Sequence, residues 1–302
     1  MILVHAPGAF TTVQDLGRPG HGLAGVSRAG AADPVALRLG NRLLGNPEGA
    51  AALEMTLIGG SFHFPDGAEV AVTGAGCGVP AWTPLRIAPG DTLRLGPMSA
   101  GVRSYLCVRG GILVPLVGGS ASTHVPGGMG GFEGRPLRKG DALQAGPPAG
   151  PSRRGILPGV LASLAPRTTI RVTPGLQSGW FSAAARALFL NSEYQVSNDS
   201  NRLGIRLEGP PVPLESGGQM ITEGVPLGAV QIASGGQPIL LFVDQQTTGG
   251  YPKIANVITA DLPSLGQLRP GDRIRFAEVL PAEARRLLLE QESRLRSQEI
   301  FL

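Results

Sequence analysis

Short apolar runs separated by turn residues make up most of this chain. Gly, Pro or Asp residues bound these runs, and few runs are long enough to form a helix. Runs of this kind predict the β-strands of a barrel or a sandwich. The predicted strands lie at 1–15 (strand and turn), 53–58, 69–73, 92–95, 102–108, 170–172, 194–196, 204–207, 230–232 and 239–243. We therefore predict a mainly β fold.

A few stretches carry helical signals instead. Residues 33–46 begin with Asp33, a good N-cap, and Pro34, which suits the first helical position. Gly45 can end that helix. Two further helices are predicted at 178–190 and 282–298. The fold should therefore contain a few short helices among many strands.

Two halves of the chain carry related signals. Residues 145–166 are rich in Pro, Gly and Ala, which predicts a linker. On either side of it, the run 90–95 (GDTLRL) is similar to 271–276 (GDRIRF). We predict two similar β-barrel domains, at 1–150 and 151–302, with the C-terminal helix in the second.

Composition narrows the class of protein. Of 302 residues, 46 are Gly and 27 are Pro, yet 42% are apolar, which indicates a folded, turn-rich chain. The net charge is +4 and the basic residues are scattered, so we expect no nucleic-acid partner. No apolar stretch is long enough for a membrane span, and no signal-peptide pattern is visible. With only two cysteines, the chain is expected to be cytoplasmic and reduced, with both thiols buried.

Common cofactor motifs fail on their spacing. The run 71–78 (AVTGAGCG) has its third glycine one position early for a dinucleotide fingerprint, and prolines follow where a helix is needed. No P-loop motif occurs, and 118–122 (GGSAS) lacks the last glycine of a nucleophile elbow. The four histidines lie far apart in the sequence and make no ligand pair, so no residue is predicted to ligate zinc or iron.

The densest set of polar groups follows the apolar run 239–243. Residues 243–253 (VDQQTTGGYPK) hold far more hydrogen-bonding groups than a turn needs, which indicates a site for a small polar ligand. Asp244 and Glu223 are candidate acid/base groups, and Lys253 can neutralise developing negative charge. The candidate ligand-binding residues here are Gln231, Thr247, Thr248, Gly249, Gly250 and Tyr251.

A second polar set lies near the N-terminus. Gln14, Asp15 and Arg18 surround a glycine turn, and the planar guanidinium of Arg18 can bind a carboxylate or phosphate. The alternative is an Asp15–Arg18 pair that only holds a loop. Asn41 and Asn46 are further candidates for ligand binding, although Asn46 can instead serve the helix C-terminus.

A third polar set contains two arginines. Arg202 and Arg206 are four residues apart, an even spacing that places both on one face of a strand. Two guanidinium groups on one face would suit an anionic substrate. A pair of surface arginines is the ordinary alternative.

Four runs together resemble a known family. They cover 11–54 (from TTVQDLGRPG to EGAAALE), 200–209 (SNRLGIRLEG), 222–262 (from TEGVPLGAVQ to ANVITADL) and 270–276 (PGDRIRF). In content and order they are similar to the allophanate hydrolase subunit 2 family. The resemblance extends over nearly the whole chain and is weakest at 145–170.

The resemblance implies two cyclophilin-like β-barrel domains and a function. The chain would be the C subunit of a prokaryotic ATP-dependent 5-oxoprolinase, a hydrolase in which the B and C subunits together activate 5-oxoproline with ATP and Mg²⁺. The A subunit would complete ring opening to glutamate. The family also includes the carboxyltransferase part of urea carboxylase, which leaves biotin open as a cofactor. A third alternative is a non-catalytic regulator that binds the inhibitor of a histidine kinase.

Residue roles follow from that chemistry. The groups expected to bind phosphate or the substrate carboxylate are Arg18, Arg202, Arg206 and Lys253. The groups expected to hold Mg²⁺ or relay a proton are Asp15, Glu223 and Asp244. The chain departs from the family at Asn201, where an Asp is usual, and at Thr222, where a Ser is common. Loss of the carboxylate at 201 removes either an acid/base group or a partner of Arg202.

Overall fold

The computed structural model describes residues 1–214 and 220–302, which form two compact units. The first unit comprises Met1–Pro19, Ala29–Ala165 and Leu295–Leu302, and the second Gly20–Arg28 and Pro166–Arg294. Residues 20–28 belong to the second unit, where the Ser27 hydroxyl donates to the carbonyl of Val243 at 3.1 Å. The predicted single boundary near residue 150 places neither residues 20–28 in the second unit nor residues 295–302 in the first.

The first unit contains two five-stranded antiparallel sheets. Its strands are β1 (Ile2–Ala6), β2 (Phe10–Gln14), β3 (Ala52–Thr56), β4 (Ser61–Phe64), β5 (Ala68–Gly76), β6 (Pro84–Ile87), β7 (Asp91–Arg94), β8 (Ser99–Val108), β9 (Ile112–Leu113) and β10 (Ala142–Ala145). One sheet has the order β7-β4-β1-β10-β9 and the other β2-β3-β8-β5-β6. In this half, the expected barrel takes the form of two sheets that share one apolar core.

Both faces of the second sheet are buried. Val70 and Val72 belong to the apolar core shared with β1 and β4 of the other sheet, whereas Ala71 between them belongs to the core around the first helix. Successive side chains of a strand point to opposite faces, so one strand serves two cores. Continuous apolar runs in β5 and β8 are the sequence consequence.

The first helix, α1 (Pro34–Leu43), forms as its sequence predicts. The Asp33 carboxylate accepts a hydrogen bond from the amide of Ala36 at 3.0 Å, and Pro34 occupies the first position. Gly45 follows in a left-handed conformation with φ +68°. This helix packs on β5 and β8.

The second unit is a closed seven-stranded barrel, which confirms the mainly β prediction. Its strands are β11 (Thr169–Pro174), β12 (Glu193–Val196), β13 (Gly204–Glu208), β15 (Ala229–Ile232), β16 (Pro238–Leu241), β18 (Lys253–Val257) and β19 (Arg273–Glu278). They follow the order β11-β18-β15-β16-β13-β12-β19, and the parallel pairing of β11 with β19 closes the barrel. A separate two-stranded ribbon joins β14 (Glu223–Gly224) and β17 (Thr248–Gly249).

The remaining helices refine the sequence prediction. The predicted linker contains α2 (Pro158–Ser163), and its apolar side chains pack in the first unit, so that segment is structured. The predicted helix at 178–190 is divided, because a 3-10 turn at Ser178–Trp180 precedes α3 (Ala183–Asn191), which begins at the Ser182 N-cap. The last two helices are α4 (Leu262–Leu265) and α5 (Pro281–Arg296).

Two further sequence-based expectations can be compared with the structure. Within 1–214 and 220–302, no helix has both the length and the hydropathy needed to cross a bilayer. Cys77 and Cys107 are both free and buried, as expected. Burial raises the pKa of the Cys107 thiol, so it remains protonated and packs as a small apolar side chain.

Gly40 tests how closely α1 packs on the sheet. A Cβ there would lie 2.6 Å from the Cys107 sulfur and 2.9 Å from the Thr73 hydroxyl. Overpacking costs about 1–3 kcal/mol, while helix propensity returns about 1 kcal/mol, so we expect Gly40→Ala to destabilise the first unit by up to about 2 kcal/mol. Urea unfolding followed by Trp82 fluorescence, in a Trp180→Phe background, measures this.

Gly159 in α2 is the matched control. A Cβ at this helical glycine meets nothing within 4 Å, so Gly159→Ala should be neutral or slightly stabilising. Equal effects of the two substitutions would show that the α1 contact is not as tight as the structure has it.

Candidate active site

The polar segment 243–253 folds back on Glu223 through the two-stranded ribbon. In that ribbon Glu223 pairs with Gly249, and Gly224 pairs with Thr248. The segment then enters β18 at Lys253. Backbone pairing therefore brings Glu223 close to Lys253, although the two are thirty positions apart in the sequence.

Lys253 and Glu223 form an ion pair in the second unit. The Lys253 side chain is fully buried, whereas the Glu223 side chain is 37% exposed. The Lys253 ammonium donates to Glu223 Oε1. This hydrogen bond is the main cause of a lowered pKa at Glu223, so its carboxyl group is ionised at neutral pH. Lys253, predicted to meet the ligand directly, is instead buried and bound to the more exposed Glu223.

Gln177 completes the group and was not identified from the sequence. Its side chain is buried, and its Nε2 donates to Glu223 Oε1 at 3.0 Å. Its Oε1 accepts a hydrogen bond from the backbone amide of Lys253 at 3.2 Å. Gly175 allows this approach, since a Cβ there would lie 2.2 Å from the Lys253 carbonyl oxygen. No spacing or composition in the sequence marks Gln177.

Gln231 on β15 supports the segment through its side chain. Its side chain is buried, and its Nε2 donates to the carbonyl of Tyr251 at 3.3 Å. A Cβ on Gly249 would lie 2.8 Å from the same nitrogen, so a side chain at 249 would displace the amide. Gln231 is thus placed near the predicted site, in contact with its backbone.

The other residues of the segment differ in exposure. Thr248 and Tyr251 are exposed, and Gly250 lies between them in the chain. Thr247 is partly buried and its carbonyl accepts from the amide of Val225 at 3.1 Å. Together with the exposed Gln246, Thr248 and Tyr251 are therefore the side chains of this segment that a ligand can reach most readily.

Arg202 and Asp244 are bound to each other. Arg202 Nε lies 2.8 Å from Asp244 Oδ2, and Nη2 lies 3.0 Å from Oδ1, a bidentate pair. Both side chains are buried, at 8% and 2% exposure. The pair fastens the start of the polar segment to the turn before β13, which is a structural role for two predicted site residues.

Arg206 does not share a face with Arg202, contrary to the spacing argument. Arg202 precedes β13, so strand alternation does not relate the two, and Arg206 is exposed. Asn201 Oδ1 accepts from the amide of Leu203 at 2.8 Å, a turn contact that a carboxylate could also make. The partner of Arg202 is Asp244, so the Asn at 201 does not leave the arginine uncompensated.

The N-terminal candidates lie in the first unit and hold its loops. The Asp15 carboxylate accepts from the hydroxyls of Ser120 and Ser122, at 2.6 and 2.5 Å, and from the amides of Gly17 and Ala121, both at 2.7 Å. These four donors fill its acceptor sites. Asp15 therefore anchors the loop after Val117 to the end of β2.

Arg18 and Gln14 strengthen the same loop. Arg18 is buried, and it donates from Nε to the carbonyl of Val117 at 3.1 Å and from Nη2 to that of Ser122. Gln14 is fully buried and its Nε2 donates to the carbonyl of Thr123 at 3.1 Å. Both side chains are used internally.

Asn41 and Asn46 join the end of α1 to the sheet. Asn46 Nδ2 donates to Asn41 Oδ1 at 3.0 Å and to the carbonyl of Val108 at 2.8 Å. Asn46 Oδ1 accepts from the amide of Gly110 at 2.8 Å. The structural alternative considered for Asn46 accounts for these contacts.

A divalent metal finds few ligands among the described residues. In the part of the chain that the structure describes, no three His, Cys, Asp or Glu side chains lie close enough to hold a metal ion. The carboxylates of Asp15 and Asp244 are already engaged. The donor set does not fit Mg²⁺ held by this chain alone.

Comparison with known proteins agrees on one family. The family model of the carboxyltransferase domain, subdomain A and B, matches residues 24–278. The chain is 40% identical over 300 residues to the C subunit of 5-oxoprolinase from Escherichia coli K12, and the match covers 97% of this chain and 96% of that protein. It is 38% identical over 289 residues to the corresponding 5-oxoprolinase subunit from Haemophilus influenzae, with coverage of 93% and 92%.

A solved structure shows the same fold. The crystal structure of Kluyveromyces lactis urea carboxylase matches the whole of this chain with a TM-score of 0.91 and 32% identity. This chain spans 30% of that longer protein.

The Arg202–Asp244 pair gives a stability prediction. Removing one partner of a buried ion pair costs about 3–5 kcal/mol, so Asp244→Asn should destabilise the second unit by about that amount. The double substitution Arg202→Met/Asp244→Leu should cost less than the two single changes together. Urea unfolding followed by Trp180 fluorescence, in a Trp82→Phe background, measures both.

Arg206→Met is the control for this experiment. Arg206 is exposed on β13, so its loss should change the unfolding free energy by less than about 0.5 kcal/mol. An Asp244→Asn effect as small as that of Arg206→Met would contradict the structural role of the pair.

Proposed function

This chain belongs to the carboxyltransferase domain, subdomain A and B family, as its sequence motifs implied, and we propose that it is the C subunit of an ATP-dependent 5-oxoprolinase. In this proposal it acts with a partner similar to the B subunit of that enzyme, and with the A subunit, to activate 5-oxoproline for ring opening to glutamate. The observation that carries the proposal is the match to 5-oxoprolinase C subunits over nearly the full length of both proteins.

The reaction needs a way to polarise an unreactive amide. In 5-oxoproline, resonance between the lactam nitrogen and the carbonyl opposes attack at the carbonyl carbon. Phosphorylation of the lactam oxygen by ATP would give that carbon a better leaving group. A negative acceptor on the lactam N–H pushes electron density toward the oxygen and favours this transfer.

Glu223 is suited to be that acceptor. It is ionised and partly exposed, and Oε1 is engaged by Lys253 and Gln177 while Oε2 has no hydrogen-bond donor among the described residues. Its lowered pKa makes it a weak base. We therefore assign Glu223 the role of anionic hydrogen-bond acceptor for the lactam N–H, and not that of a base that keeps the proton.

The neighbouring residues divide between support and contact. Lys253 is fully buried, so it keeps Glu223 ionised without touching the substrate. Thr248 and Tyr251 are exposed and carry hydroxyl donors suited to the substrate carboxylate. ATP and its Mg²⁺ are assigned to the complex with the partner similar to the B subunit.

Carboxyl transfer is the second candidate, favoured by the match to urea carboxylase. Urea and the ureido ring of biotin also present an N–H beside a carbonyl, so the same carboxylate oxygen would suit them. Binding of free biotin to the isolated chain, measured by calorimetry, separates this candidate from the first.

The decisive experiment measures ATP hydrolysis with and without 5-oxoproline. The chain is co-expressed with the B subunit-like partner, and turnover stimulated by oxoproline should require both chains. Glu223→Gln should reduce the stimulated turnover about 10²-fold, the usual effect of removing one electrostatic contact to a transition state. Glu208→Gln, an exposed glutamate on β13, is the matched control and should leave turnover unchanged. A complex without oxoproline stimulation, or an unaffected Glu223→Gln variant, would refute the proposal.

The Lys253–Glu223 pair also predicts a pH dependence. The pKa of Glu223 is lowered chiefly by Lys253, so the carboxylate persists as pH falls until that lowered pKa is reached. Lys253→Met removes the main cause, the pKa rises, and the acid limb of turnover should move to higher pH. The pH profile of oxoproline-stimulated turnover checks this, with thermal unfolding as the test of folding. An unmoved acid limb in a folded variant would exclude Glu223 as the titrating group.

A further inference from the structure

Gln177 and Lys253 are joined by two hydrogen bonds that resemble strand pairing. The backbone amide of Gln177 donates to the Lys253 carbonyl at 3.2 Å. The backbone amide of Lys253 donates to the side-chain oxygen of Gln177, also at 3.2 Å. The strand β11 ends at Pro174, so beyond it the carboxamide replaces a backbone carbonyl as the acceptor. The position of Gln177 is thus fixed by the barrel itself.

The nitrogen of this carboxamide reaches the candidate active site. Gln177 Nε2 donates to Glu223 Oε1, the same oxygen that the Lys253 ammonium binds. Two donors therefore converge on one oxygen of the carboxylate. Among the described residues, no side chain or backbone group donates a hydrogen bond to Oε2.

Chemistry allows only one orientation of the carboxamide. Its oxygen faces a backbone N–H and its nitrogen faces a carboxylate. The flipped amide would set an N–H₂ group against the Lys253 N–H and an oxygen against the Glu223 carboxylate, and both contacts would be repulsive. The donor to Glu223 is therefore fixed in direction as well as in place.

We propose that Gln177 is a positioning residue, which ties Glu223 Oε1 to the barrel so that Oε2 alone is presented to the N–H of the substrate. This inference rests on the function proposed for Glu223. Gln177 is 7% exposed, so it acts through Glu223 and not by touching the ligand. Its hydrogen bond is also the second cause, after Lys253, of the lowered pKa of Glu223.

Two substitutions at Gln177 remove its hydrogen bond to Glu223 in different ways. Gln177→Glu keeps an acceptor for the Lys253 amide but sets a second carboxylate against Glu223, whereas Gln177→Met has a similar length and neither donor nor acceptor. Lys253 is the charged side chain that faces Glu223 among the described residues, and it is retained in both variants.

The matched control is Gln237→Met. Gln237 is also in the second unit, and its carboxamide likewise makes two backbone contacts, donating to the Gly209 carbonyl at 3.1 Å and accepting from the Gly209 amide at 3.2 Å. Neither of these two hydrogen bonds involves Glu223. Its loss reports what removing a structural carboxamide does by itself.

The first measurement uses the isolated chain and needs no activity. Carboxyl ¹³C shifts of labelled glutamates are followed through a pH titration, with Glu223→Gln assigning the Glu223 signal. We expect the Glu223 midpoint to rise in Gln177→Met and to rise further in Gln177→Glu, while Gln237→Met matches wild type. Midpoints unchanged in both Gln177 variants would overturn the proposal.

The second measurement uses the complex with the B subunit-like partner. Oxoproline-stimulated kcat/KM should fall about 10–100-fold in both Gln177 variants, as expected when a reacting group is misplaced by about 1 Å, with the acid limb shifted upward. Gln237→Met should keep the wild-type acid limb. Variants with wild-type kcat/KM and acid limb would also overturn the proposal.

Failures of the two proposals give different results. A wild-type complex without oxoproline stimulation refutes the proposed function, while the titration still reports whether Gln177 controls Glu223. If neither Gln177 variant folds, the Gln177 side-chain amide protons of wild type are followed instead. The chemical shifts of these protons should change at the same pH as that of the Glu223 carboxyl carbon. Amide shifts that stay constant through that titration would refute the coupling.

Discussion

The buried ammonium of Lys253 is the interaction on which the polar part of the second unit depends. A charge with no exposure to water is costly unless an opposite charge and hydrogen bonds compensate it. Glu223 supplies that charge, and the ribbon of β14 and β17 holds Glu223 where the ammonium can reach it. Because the barrel strand β18 begins at Lys253, the position of the carboxylate is tied to the barrel wall. The partly exposed acid is therefore held on a fixed support.

Other polar residues of the family motifs serve a different purpose. Asp15 receives four donors, Asn46 joins the end of α1 to the sheet, and Asp244 is closed by a bidentate arginine. Glycine-rich loops have little side-chain surface to bury, so polar contacts of this kind hold them in place. A polar motif in such a chain can therefore reflect the needs of its loops as much as those of a ligand.

The family contains relatives named for different reactions, and one chemical feature connects them. 5-Oxoproline, urea and the ureido ring of biotin each present an N–H next to a carbonyl. Under the proposed function, Glu223 Oε2, which accepts no hydrogen bond from the described residues, would suit all three, so the acceptor would be shared while the surrounding residues select the substrate. Exposed hydroxyl groups at Thr248 and Tyr251 are the part of this site that can differ between relatives at little structural cost.

The sequence by itself determined the mainly β class, the capped first helix, the family and the segment in which the candidate site lies. These follow from local signals: strand-length apolar runs, Asp33 and Pro34 at a helix start, and a dense polar run after a buried strand. Only the tertiary structure decided which polar residues are available. Arg202 and Asp244 are engaged with each other, and Gln177 joins the site from a turn seventy-six residues away from Lys253. Burial and pairing depend on contacts between distant parts of the chain, and local patterns carry no record of them.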